Sequence, residues 1–95
     1  MDTEDLLLVA IVEMAPGHAE AGQRYEDAVL ALLARHGGTL ERRTRSTDGA
    51  TEVHLIRFTD PDGYHAFMTD PDRATQRVHA GDAAPTTRVI EVRDL

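Results

Sequence analysis

The sequence predicts an α+β domain with the element order β-α-β-β-α-β. Three observations carry this. Two strand-like runs, Thr39–Ser46 and Thr51–Phe58, flank Thr47-Asp48-Gly49-Ala50, and Asp-Gly tolerates the positive φ angles of a two-residue type I′ hairpin turn. A helical pattern lies on each side of that hairpin. An apolar strand closes each end of the chain. This is the split-βαβ, ferredoxin-like order, a four-stranded antiparallel sheet with helices on one face.

The elements follow in turn. Leu6–Met14 is apolar at nearly every position. A strand solvated on one face would alternate, so this one is predicted to be covered on both. Pro16-Gly17 ends it. Ala21, Tyr25, Ala28, Val29, Leu32 and Leu33 then form a helical stripe. Gly37-Gly38 stops that helix, with Gly37 suited to the position just past its end. After the hairpin, Thr59-Asp60-Pro61-Asp62 and Thr69-Asp70-Pro71-Asp72 are near-copies. In each, the residue before Pro is pushed out of helical geometry and Pro suits the first helical position. Short helices are therefore expected at Pro61–Thr69 and Pro71–His79. Gly81–Pro85 reads as a loop and Arg88–Val92 as the last strand. Residues 1–95 read as one domain without linker or repeat.

Composition excludes several function classes. The net charge of −7 opposes a nucleic-acid surface, which needs a basic stripe, and binding to anionic membrane. The longest apolar run, Leu6–Val12, is too short to span a bilayer. The acidic start Met1-Asp2-Thr3-Glu4-Asp5 lacks the basic region of a signal peptide, so the expected location is the cytoplasm. There is no Cys, which excludes thiolate catalysis and Cys-ligated metals. All ten basic residues are Arg, which removes Schiff-base chemistry on lysine. The only Ser, Ser46, sits beside the hairpin turn. Catalysis is left to His, Asp, Glu, Tyr, Thr or Arg, or to a bound cofactor. The Arg-, Ala- and Asp-rich usage suits a GC-rich bacterial genome.

A ferredoxin-like sheet leaves one face without helices. With the first strand apolar on both sides, that face is expected to meet a second copy of the chain, sheet on sheet about a two-fold axis.

Two segments carry a family likeness. Ala34-Arg35-His36-Gly37-Gly38-Thr39-Leu40, followed by strand, turn and strand, resembles the helix, Gly-Gly, hairpin segment of dimeric α/β-barrel proteins. Ile56-Arg57-Phe58-Thr59-Asp60-Pro61 with Tyr64, Phe67 and Asp70-Pro71 resembles their strand, Phe, short helix segment. That superfamily includes antibiotic-biosynthesis monooxygenases, small stress-associated domains, haem-degrading enzymes, and polyketide cyclases and isomerases. The resemblance implies a dimeric α/β barrel built from ferredoxin-like subunits. Its motifs specify structure and not a reaction. The monooxygenases often carry Asn and Trp in the pocket, and this chain has neither.

The candidate site is built on the hairpin. The turn places Arg45 opposite Glu52, Arg43 opposite His54 and Arg42 opposite Leu55. His54, Ile56 and Phe58 share one face, expected to be the helix side. His54 and Arg43 would then point into the helix–sheet cleft, where small α+β barrels often bind ligands. In one reading His54 is a general base and Arg43 holds an anionic or enolate oxygen. In the other they are a sheet-edge pair. Glu13, at the end of the first strand, is either a cleft carboxylate with a raised pKa or an exposed strand end. His36 closes the helical stripe, either capping the last carbonyls or lining the cleft with Tyr25, Phe58, Tyr64 and Phe67. No two of the five His are spaced i, i+4 on one helix, and no His-Glu-x-x-His occurs, so no metal is expected.

The leading expectation is a small cofactor-independent enzyme or accessory protein acting on an aromatic or polyketide-like compound by cyclisation, isomerisation or oxygenation. The competing expectations are a non-catalytic ligand-binding or stress-response module and a haem-handling protein.

Overall fold

A computed structural model describes residues 5–95; the acidic start, residues 1–4, lies outside them. The elements are β1 (Leu6–Glu13), α1 (Ala19–Leu30), β2 (Gly38–Arg45), β3 (Thr51–Phe58), α2 (Pro61–Met68), α3 (Pro71–Ala80) and β4 (Thr86–Val92). The sheet order is β2-β3-β1-β4, antiparallel throughout, as the β-α-β-β-α-β reading requires. The apolar β1 takes one of the two inner positions, between β3 and β4.

The long helix is shorter than its apolar stripe. α1 ends at Leu30, and Leu33–His36 forms a separate 3-10 turn. Gly37 closes that turn in the left-handed conformation, φ 74°. The stripe runs on past the break because the turn still directs Leu33 into the core. α2 and α3 begin as their Asp-Pro signals predict. Asp60 accepts from the Gly63 N–H at 3.0 Å and Asp70 from the Asp72 N–H at 2.8 Å, each with Pro in the first turn.

The hairpin keeps the predicted register with a different turn. Arg45 pairs with Glu52, Arg43 with His54 and Arg42 with Leu55. Type I′ needs positive φ at Asp48 and Gly49, and only Gly49 has it, at 78°. The Gly49 N–H instead donates to the Ser46 carbonyl at 2.9 Å, and Thr47–Ala50 forms a four-residue loop. Asp48 stays at negative φ because its carboxylate accepts from the Ala50 N–H at 2.9 Å and from Ser46 Oγ at 2.7 Å. The register survives because both loops place the same residues opposite one another. Further along β2 it slips between Leu40 and Arg42, where Glu41 is the extra residue of a bulge.

The two faces of the sheet differ. Leu8, Ala10, Val12, Ile56 and Phe58 pack with Tyr25, Val29, Leu33 and Phe67 to form the core. Val9, Ile11, Val53, Leu55 and Ile90 fall on the other face, which no helix covers. Val53 there is 41% exposed.

Candidate functional site

β3 turns one face toward the helices and places Glu52, His54, Ile56 and Phe58 along it, all buried. The alternation that buries Ile56 and Phe58 must also bury Glu52 and His54. Their charges and hydrogen bonds are therefore met inside the protein. Arg43 Nε donates to Glu52 Oε1 at 2.8 Å and Arg45 Nε to Glu52 Oε2 at 2.9 Å. His54 Nε2 lies 2.7 Å from Glu52 Oε1. Burial acts to raise the Glu52 pKa, but the hydrogen bonds from Arg43, His54 and Arg45 outweigh it and hold the carboxyl at about 2. An ionised carboxylate only accepts, so Nε2 carries the imidazole hydrogen. Burial pushes the His54 pKa down against the pull of Glu52. His54 is thus neutral near pH 7, with Nδ1 as its free acceptor.

Glu26 faces Nδ1 from α1. It is only 5% exposed, and its Oε1 lies 4.0 Å from His54 Nδ1. That is too long for a hydrogen bond and leaves the pair open to an intervening polar atom. Burial pushes the Glu26 pKa from 4.5 to about 7. The Glu52 charge adds to the rise, and Arg43, Arg73 and Arg77 oppose it.

Glu26 and His54 both line a cavity of about 310 Å³ between the sheet and the helices. Its aliphatic wall comes from β1 and α1, and its aromatic wall is Tyr25, Phe58, Tyr64 and Phe67. Phe58 meets Tyr64 edge-on with ring centroids 5.6 Å apart. The Tyr25 hydroxyl is buried without a hydrogen-bond partner among the described residues. Arg73 and Arg77 of α3 complete the rim.

The structure thus places five of the eight predicted residues at the cavity: His54, Tyr25, Phe58, Tyr64 and Phe67. Arg43 points to the helix side as expected but stops short of the cavity. It is spent on Glu52, on Asp27 Oδ1 at 2.7 Å and on the Gln23 carbonyl. Glu13 falls on the opposite face, exposed, accepting from Thr51 Oγ1 at 2.8 Å. Strand alternation puts it out of phase with Val12, which is buried. His36 neither caps α1 nor lines the cavity. Its Nε2 lies 2.7 Å from Asp70 Oδ2, tying the 3-10 turn to the start of α3. Sequence reasoning missed Glu26, although it stands one residue after Tyr25 and three before Val29, a carboxylate on the inward stripe. It also missed Glu52, which alternation with His54 places on the buried face, and Arg73 and Arg77.

Comparison with solved structures gives this architecture a setting. SnoaB, a cofactor-independent oxygenase from Streptomyces nogalater, superposes with TM-score 0.78 at 17% identity, covering 98% of this chain and 95% of that one. A candidate antibiotic-biosynthesis monooxygenase from Bacteroides thetaiotaomicron does so with TM-score 0.79 at 12% identity, covering 97% and 90%. The fold is that of the antibiotic-biosynthesis monooxygenase-like domains. PA3566 from Pseudomonas aeruginosa shares it, with TM-score 0.77 at 20% identity over 100% of this chain and 98% of that one. No protein-family model matches the sequence, and no curated protein matches it significantly. At these identities the likeness is one of fold. Among the described residues no helix is long and apolar enough to cross a membrane.

Proposed function

We propose that this chain is a small-molecule enzyme that moves a proton on an aromatic or polyketide-like carbon acid without a cofactor. The observation that carries this reading is the juxtaposition of Glu26 and His54 Nδ1 at the wall of one cavity. The two groups have complementary protonation states. A carboxyl that titrates around neutrality offers a proton, and a neutral imidazole offers a lone pair. In the forward step His54 Nδ1 takes a proton from the carbon next to a carbonyl. The C–H electron pair forms the new C=C bond, the carbonyl π pair moves to oxygen, and Glu26 protonates that oxygen. The product is an enol, with imidazolium and carboxylate left on the enzyme. The reverse step restores both groups. Such enolisation is common to isomerisation, cyclisation and the activation of a carbon acid toward oxygen.

Glu52 and Arg43 act behind this pair. Glu52 fixes the imidazole tautomer and favours the imidazolium that forms, and Arg43 keeps Glu52 ionised. The reading includes a homodimer joined through the uncovered sheet face in the bacterial cytoplasm. Light scattering at micromolar concentration should give about twice the 10.5 kDa chain mass.

The test is hydrogen–deuterium exchange at the acidic carbon of aromatic ketones and anthrone-type compounds in D2O, followed by proton NMR. The wild type accelerates exchange, and Glu26→Gln and His54→Gln each lose about 10²–10⁴-fold of that acceleration. Compounds that bind without faster exchange in the wild type would leave a binding module in place of an enzyme.

A further inference from the structure

α3 is built the wrong way round for a helix that only covers a core. None of its residues is buried. Its large apolar residue, Val78, is 78% exposed, while Arg73 and Arg77 line the cavity. A covering helix normally turns its apolar stripe inward and its charges outward.

Arg35, Arg43, Arg45 and Arg57 each lie within 4.0 Å of a carboxylate oxygen. Among the described residues six arginines, Arg24, Arg42, Arg73, Arg77, Arg88 and Arg93, form no ion pair, and of these only Arg73 and Arg77 line the cavity. Arg73 sits over the Phe67 ring, 5.3 Å from its centroid, and its Nε is shielded from water with no acceptor. Among the described residues the only carboxyl in the cavity lining is Glu26, which burial holds partly protonated. A chain of net charge −7 thus concentrates two unpaired positive charges at the rim of an apolar cavity. The buried, unpartnered Tyr25 hydroxyl is on the lining of the same space.

We infer that Arg73 and Arg77, one helical turn apart on α3, bind the carboxylate of an aromatic acid whose ring system fills the cavity against Phe58, Tyr64 and Phe67. A guanidinium presents a planar fork that matches a carboxylate, and the charge-assisted bonds are stronger than neutral ones. The aromatic wall suits a flat apolar body by stacking and edge contacts. The Tyr25 hydroxyl supplies a donor for an oxygen on the rings. This assignment rests on the cavity being the ligand site, and it adds the ligand's charge and the element that reads it.

The experiment uses 2-naphthoate and its neutral near-isostere 2-naphthamide. Affinity is measured by calorimetry, and cavity occupancy is read from the His54 imidazole resonances. The naphthoate is expected to bind about tenfold or more tightly than the amide and to weaken as salt is raised. Arg73→Gln and Arg77→Gln each reduce naphthoate affinity about tenfold and leave the amide unchanged. Since α3 buries no side chain, both variants should fold, and circular dichroism verifies this. Equal affinities for the two probes, unmoved by either variant while the His54 resonances still shift, would overturn the carboxylate clamp and leave the cavity as the ligand site. Failure of both probes to shift His54 would overturn the clamp and the cavity together.

Discussion

Glu52 holds one nitrogen of the His54 imidazole, Glu26 faces the other, and the two carboxyls differ in how readily they ionise. Glu52 Oε1 holds His54 Nε2 at 2.7 Å and stays ionised, while Glu26 Oε1 stands 4.0 Å from Nδ1 and resists ionisation. The difference lies in their partners. Glu52 receives Arg43 and Arg45 directly, whereas Glu26 feels its arginines only through space.

The first prediction concerns pH and stability. Glu26 has a folded pKa of about 7 against an ordinary 4.5, so the native state holds its proton more tightly. The stability this confers is complete below pH 4.5 and is lost as pH rises through 7. Glu26→Gln carries no charge at any pH. Its melting temperature should therefore gain on the wild type between pH 5 and 8, by an amount equivalent to about 2–4 kcal/mol. Parallel curves for the two proteins would show that Glu26 titrates normally.

Glu52 works in the other direction. Its pKa is held at about 2, so its stabilisation is present above 4.5 and disappears as pH falls toward 2. Glu52→Gln should cost about 1–3 kcal/mol at pH 7 and flatten the acid limb of the unfolding curve. Urea midpoints from pH 7 down to pH 2 make the comparison.

At Gly63, α2 packs against the backbone of the 3-10 turn. A Cβ there would collide with the His36 carbonyl oxygen, which is backbone and cannot swing aside. Gly63→Ala should destabilise by about 1–3 kcal/mol despite its favourable helix propensity. The His36–Asp70 contact should loosen with it, seen as a shift in the His36 imidazole signals.

In the hairpin, Gly49→Val places a branched residue at positive φ and should cost about 1–2 kcal/mol. Ser46→Ala removes the bonds from Ser46 Oγ to Asp48 and from the Thr51 N–H to Ser46 Oγ, both exposed, at about 0.5–1 kcal/mol. Denaturant midpoints should rank the wild type first, Ser46→Ala second and Gly49→Val last.

Much of the architecture was legible because local signals agreed. Asp60-Pro61 and Asp70-Pro71 are complete helix starts on their own, and the run of apolar residues in β1 set its place inside the sheet. The turn type was not, because Asp48 draws its neighbours into a side-chain network that Asp-Gly statistics ignore. The site was half legible. His54 and the aromatic wall follow from face alternation and helical stripes. Arg43 was placed on the correct face, but its destination depended on Glu52 and Asp27, which only the packed structure brings within reach. Of the two readings open to Glu13 the exposed strand end is the one found, one residue out of phase with buried Val12. Arg73 and Arg77 were hidden because α3 turns Val78 outward, so the usual rule of apolar side inward would place the two arginines in solvent.

The extra residue at Glu41 lets one strand obey two incompatible patterns. On one side of it Gly38 and Leu40 oppose Phe58 and Ile56; on the other, Arg43 and Arg45 oppose His54 and Glu52. Leu40 is an even position and the two arginines are odd, so an unbroken pleat would serve one set and turn the other outward. Glu41 acts as a phase shifter, joining a greasy half-strand to an ionic one on the same side of the sheet. Excising that single residue would force a contest. Either Leu40 is expelled from beside Ile56, or the guanidiniums that keep Glu52 charged swing to the outer surface and leave the imidazole without its anchor. The setting of the His54 imidazole therefore hangs on the length of a neighbouring strand as much as on any group that touches the ring.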